Sequence, residues 1–131
     1  MAQIIQPPGF PTPRGYSNGM AFDSGRIVFV AGQIAWGEKP EVVSDVLSAQ
    51  FGQALRNVLA VVRDAGGTAE HIGNLTIFVT DKKEYIAQAK AIGAEYREVM
   101  GKHYPAMALV QVADLLDDRA KVEIQAIAVV P

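Results

Sequence analysis

Residues 122–130, VEIQAIAVV, decide how this chain folds. Side chains alternate across a β-strand, so Val122, Ile124, Ala126 and Ala128 share one face. Glu123, Gln125, Ile127 and Val129 share the other. The first face is wholly apolar and belongs against a core. The second is apolar at Ile127 and Val129 but carries two polar groups. A strand that is greasy on both sides needs cover on both sides. Helices of the same chain can supply one cover. The other reads as a subunit interface that encloses a polar pocket.

Working back from that strand, Ala106–Ala113 reads as a second strand, separated from Ala120–Val130 by the acidic turn at Asp117-Asp118. Before it, the spacing predicts an amphipathic helix from Asp81 to Met100 that buries Tyr85, Ile86, Ala89, Ile92, Tyr96 and Val99. Asp81 and Glu84 form the start signal and Gly101 the stop. Residues 74–80, NLTIFVT, are β-branched and apolar, as a buried strand requires. Upstream, Leu47, Phe51, Ala54, Leu55, Val58, Leu59 and Val62 recur at spacings of three and four, and predict a long helix. Ser44 is its expected N-cap and Gly66-Gly67 its end.

Residues 35–43 read as a loop. SNGMAF and RIVFVAGQ flank the turn triplet Asp23-Ser24-Gly25 and read as a hairpin. Four prolines among the first thirteen residues predict an irregular lead-in. The order is β-β-α-β-α-β-β. Two helices on one face of a single mixed sheet make an α+β sandwich.

At 131 residues the chain suits a single domain, 1–131. Half of its residues are hydrophobic, which for so small a domain favours burial of apolar surface between subunits. The net charge is −2, and Lys82, Lys83, Lys90, Arg97 and Lys102 are interleaved with Glu84, Glu95 and Glu98. That mixed pattern argues against a nucleic-acid partner, which needs a one-signed surface. With no cysteine, disulfides, thiolate metal sites and a cysteine nucleophile are excluded. The two histidines have no metal-site spacing, so neither a metal nor a cofactor is expected. No apolar run is long enough to span a bilayer and no secretory signal opens the chain, so a soluble, cytoplasmic protein without a membrane partner is expected.

Several pieces, taken in order, resemble the RidA/YjgF family of imine and enamine deaminases. They are Gly15-Tyr16 after a proline-rich start, the strand ending Gly32-Gln33, Asn57-Val58, Ala65-Gly66, Phe78-Val79-x-Asp81, Tyr104-Pro105-Ala106 and the closing VEIQAIAVVP. The resemblance covers nearly the whole chain. It implies a chorismate-mutase-like fold, a homotrimer, and small-molecule clefts between neighbouring subunits. Family enzymes hydrolyse 2-imino or enamine acids to 2-keto acids and ammonia. In them an arginine after the Pro-Ala pair clamps the substrate carboxylate, and a glutamate on the last strand positions or activates water.

Here Met107 stands in the arginine's place and Gln125 in the glutamate's, while Leu109 replaces a polar or small residue and Ala31 a common serine. Methionine cannot supply the planar fork of charged donors that holds a carboxylate. Gln125 cannot take a proton near neutral pH, though its amide can orient a water or bond across an interface. Glu123 is a candidate displaced base, with a salt bridge to Lys121 or to a neighbouring subunit as the alternative. The implied ligand-binding set is Tyr16, Gly32, Gln33, Met107, Leu109 and Arg14, the last being the nearest candidate for a replacement cation. Trp36 is placed to cap the cleft or cover an interface. The residues leave open a second reading, in which the same clefts bind a metabolite without turning it over.

Overall fold

The computed structural model describes residues 2–131, and a four-stranded mixed sheet is its spine. The elements in chain order are β1 (Ala2–Ile5), β2 (Gly19–Phe22), β3 (Arg26–Gln33), α1 (Leu47–Asp64), β4 (Ile72–Val79), α2 (Lys82–Ala87), α3 (Ala89–Met100), β5 (Ala106–Gln111) and β6 (Val122–Val130). The main sheet runs β3-β6-β4-β5, antiparallel except for the parallel pair β4 and β5. That parallel pair needs a long crossover, which α2 and α3 provide. The helices cover one face, so the architecture is an α+β sandwich as the sequence predicts.

β6 alternates in burial as its sequence demands. Val122, Ile124, Ala126, Ala128 and Val130 are buried, whereas Gln125 and Ile127 are exposed. The buried face meets Leu55, Val58 and Val62 of α1, Leu75, Ile77 and Val79 of β4, and Ile92 and Tyr96 of α3. Each such side chain contributes about 1.5–3 kcal/mol when fully buried. The other face has no helix over it. Ile27 and Phe29 of β3 are 62% and 76% exposed, and Val110 and Ile127 are also open.

Three local expectations are corrected. First, β2 does not form a hairpin with β3. It pairs with β1 in a separate two-stranded ribbon, so the lead-in begins as a strand and β3 is left as a sheet edge. Gly25, at φ 132°, turns the chain between them, and a Cβ there would strike Val129 and the Val130 carbonyl. Second, α1 starts at Leu47 and its N-cap is Val46, without a side-chain bond. The Ser44 hydroxyl accepts from the Val46 amide instead, just outside the helix. An orphan amide of the first turn, Ser48 N–H, is met by the side-chain carbonyl of Gln88 at 2.9 Å. Third, the predicted 81–100 helix breaks at Gln88 (φ −101°, ψ 15°). The break turns α2 away from the register of α3, so Ile86 and Ala89 are exposed rather than buried.

Other signals hold. Asp81 accepts from the Lys83 and Glu84 amides as an N-cap. Gly66 (φ 94°) ends α1 with Gly66 N–H to Arg63 O and Gly67 N–H to Val62 O, the paired bonds of a Schellman stop.

Gln50 is fully buried on the apolar stripe of α1 and joins three segments. Its amide donates to Ser44 O (2.8 Å) and Arg119 O (3.0 Å), and its carbonyl accepts from Lys121 N–H (2.8 Å). Gln50→Ala strands these groups without partners and is expected to cost about 3 kcal/mol, read from the urea-unfolding midpoint. Tyr96 is buried and donates to His103 O (2.6 Å) while stacking on Tyr104 at 5.0 Å. Burial, then Tyr104 and Tyr85, raises its pKa above the ordinary tyrosine value. The folded pKa lies above the unfolded one, so this stability is complete below pH ~10 and is lost as pH rises beyond it. Stability is expected to fall above that pH, and Tyr96→Phe to flatten the fall in alkaline unfolding curves.

Candidate functional site

At the start of β6 the sheet contains a deliberate irregularity. Val30 pairs with Ala126 but Gln33 pairs with Ile124, so one extra residue of β3 is accommodated around Ala31 and Gly32. Gly32 has ordinary φ; what it provides is room. A Cβ on Gly32 would overlap the carboxylate of Glu123, which reaches across from β6 into the bulge. Glu123 is half-buried and makes no ion pair among the described residues. The alternative partner, Lys121, is committed to Glu84 at 3.1 Å. Gln125 lies two residues along on the same face, opposite Thr76 of β4, exposed and without a side-chain hydrogen bond among the described residues. The Gln33 amide folds back on the Ala31 carbonyl at 3.2 Å.

This corner is held from behind by α1. Asn57 donates its side-chain amide to Ile34 O (3.0 Å) and Trp36 O (2.8 Å), fixing the strand exit just beyond Gln33. Gln50, seven residues earlier, fixes the entry to β6. Between them Ile34, Ala35, Val42 and Ala120 form a small apolar cluster of their own. Trp36 bridges to Val42 through its backbone and is 39% exposed. Sequence reasoning missed Gln50 as a support. Its signal was a polar residue three positions after Leu47, inside the apolar stripe.

The remaining sequence-derived residues gather elsewhere. Met107 and Leu109 of β5 align with Leu75 and Ile77 of β4, and so lie on the helix-covered face, half-buried at the margin of the core. Tyr16 reaches this edge of the sheet through the residue that follows it. Its neighbour Ser17 bridges to Ala106, donates its amide to Pro105 O (3.1 Å), and donates its hydroxyl to Tyr104 O. Arg14 is exposed and makes no hydrogen bond or ion pair among the described residues. His103 bonds Ile72 O through Nε2 at 2.7 Å, tying the segment before Pro105 to the start of β4.

The residues singled out from the sequence therefore fall into two groups. Gly32, Glu123 and Gln125 sit on the open face near one edge of the sheet. Met107 and Leu109 sit at the other edge, on the opposite face, and Tyr16 precedes the residue that bridges to Ala106 there. β3 and β5 are three strand spacings apart, about 14 Å, and the chain does not bring the two groups together. No cluster of three His, Asp or Glu able to hold a metal occurs among the described residues, and no helix there is long and apolar enough to cross a membrane.

An α+β domain with one bare apolar sheet face and a polar corner in it defines the class, and comparison supplies the family. The family described as Endoribonuclease L-PSP matches residues 10–130. The 2-iminobutanoate/2-iminopropanoate deaminase of Salmonella typhimurium is 37% identical over 110 residues, 82% of each chain. The crystal structure of YyfB, of the Rid protein family from Yersinia pestis, superposes with a TM-score of 0.87 at 30% identity over 98% of each chain. Escherichia coli TdcF, solved with bound serine, gives 0.70 at 34% identity, covering 98% of this chain and 99% of its own. The chain belongs to this RidA/YjgF family, the family of imine deaminases.

The seating of Glu123 against Gly32 is open to a double-mutant cycle. Gly32→Ala is expected to destabilise the protein by about 1 kcal/mol through overpacking, and to be nearly neutral in a Glu123→Ala background. Thermal unfolding of the four proteins gives the coupling.

Proposed function

We propose that this chain is a cytoplasmic small-molecule hydrolase that deaminates an imine or enamine at clefts between copies of itself in a homotrimer. Its specificity is shifted because Met107 and Gln125 stand where arginine and glutamate are expected. The observation that carries the reading is the unpaired Glu123 carboxylate, seated in the bulge on the same face as Gln125. Two halves of a site that one chain keeps apart suit a cleft completed by a neighbouring copy. The bare face, with Ile27, Phe29, Val110 and Ile127, supplies apolar area for that contact.

The chemistry needs no cofactor. Water adds to the carbon of the C=N bond as Glu123 takes a proton, with Gln125 orienting the water. The nitrogen is protonated and leaves as ammonia, and the carbon is left as a carbonyl. Tyr16, Gly32, Gln33, Met107 and Leu109 line the substrate's path, with Arg14 the remaining cation on the Tyr16 side. With a thioether at 107, a substrate carboxylate has no bidentate partner, which favours an uncharged or weakly acidic substrate. The net charge of −2, with its mixed signs, supports a small molecule over nucleic acid and gives no basis for a membrane surface. A metabolite-binding trimer without turnover is the second reading. Its support is the non-ionisable Gln125.

Ammonia release from freshly generated 2-iminopropanoate and 2-iminobutanoate tests the assignment. The wild type is expected to leave these acids near the buffer rate. Met107→Arg/Gln125→Glu is expected to gain at least tenfold, with both proteins assembling alike. Rapid wild-type turnover would place the carboxylate clamp on another cation, Arg14 first. Failure of both proteins on acidic and uncharged imines would leave the binding trimer.

A further inference from the structure

A hollow lies at the other end of the sheet from Glu123. It is a groove of about 740 Å³ between the β1–β2 ribbon and the end of β6, within the volume range of small-molecule sites. It exists because β2 leaves β3 rather than pairing with it. The ribbon is braced by Phe22, whose ring lies against Gly73 of β4. A Cβ on Gly73 would come within 2.8 Å of that ring. Ile4, Met20, Phe22 and Val129 give the groove its apolar walls.

Both histidines of the chain line it, and neither belongs to the site described above. Their tautomers follow from their backbone partners. The Thr68 amide donates to His71 Nδ1 at 2.9 Å, so the neutral ring carries its proton on Nε2. The Ile72 carbonyl can only accept, so His103 presents Nε2–H to it at 2.7 Å and keeps a lone pair on Nδ1. Neither remaining nitrogen has a hydrogen-bond partner among the described residues. In their neutral forms the two rings thus hold one donor nitrogen, on His71, and one acceptor nitrogen, on His103, among the residues that line the groove. Glu70 and Lys102 also line it and bring one charge of each sign, so it has no net charge preference.

We infer that this groove is a second ligand site, separate from the family cleft. It takes a small uncharged molecule with an apolar body and a head that accepts one hydrogen bond and donates another, as a primary carboxamide or lactam does. The carbonyl receives His71 Nε2–H and the amide N–H goes to His103 Nδ1.

The test titrates benzamide into the full chain and follows the two imidazoles by ¹H–¹⁵N correlation NMR, each assigned from the His71→Gln and His103→Gln variants. Benzamide is expected to shift both rings with one shared dissociation constant, and to bind about tenfold more tightly than toluene, the difference a directed polar head makes. Met20→Trp, which fills the groove without removing either histidine, is expected to abolish the shifts. Glu123→Ala is expected to leave them unchanged, which keeps this result independent of the proposed hydrolysis. Absence of shifts up to the solubility of benzamide overturns the inference, as does equal binding of toluene or loss of binding in Glu123→Ala.

Discussion

The structure depends on β6 having to be buried on both faces. Its position between β3 and β4 makes it a central strand, the one that joins β3 to the rest of the sheet. On the helix side the demand is met inside the chain by α1 and α3. On the other side nothing in the chain answers it, and Ile27, Phe29 and Ile127 stand in the open. A hydrophobic face of that kind is a cost to an isolated monomer and a driving force for assembly. Glu123 and Gln125 interrupt it at one end. Polar groups there are tolerable only where water, a ligand or a partner's hydrogen bonds reach them.

The polar corner is built by removal of atoms as much as by their placement. Gly32 omits a Cβ, and the carboxylate of Glu123 occupies the space. Rigidity comes from two amides on one helix. Gln50 holds the entry to β6 and Asn57 holds the exit from β3, so α1 ties together the strands that carry Gly32 and Glu123. Both bind backbone groups that would otherwise be unpaired, an arrangement that couples local geometry to the stability of the core.

Met107 and Gln125 occupy different settings in the fold. Met107 lies at the rim of the core, in register with Leu75 of β4. Gln125 places a hydrogen-bonding but non-ionisable group on the open face. Glu123 is the carboxylate left on that face of β6.

The sequence by itself determined the layer arrangement, the two faces of β6, the Asp81 cap and the Gly66 stop, because each follows from local periodicity or from a backbone conformation that one residue type favours. Family membership was also legible, in the order of short motifs from Gly15-Tyr16 to VEIQAIAVVP. Tertiary structure alone decided the rest. Whether β2 pairs with β3 or with β1 is a competition between distant partners that a turn triplet cannot settle. The break at Gln88 follows no strong breaker, and its side chain is used to satisfy an amide 40 residues away. The separation of Met107 from Gln125 was hidden for the same reason. Both fit an alternating strand, and only the strand order sets them on opposite faces, two strand spacings apart.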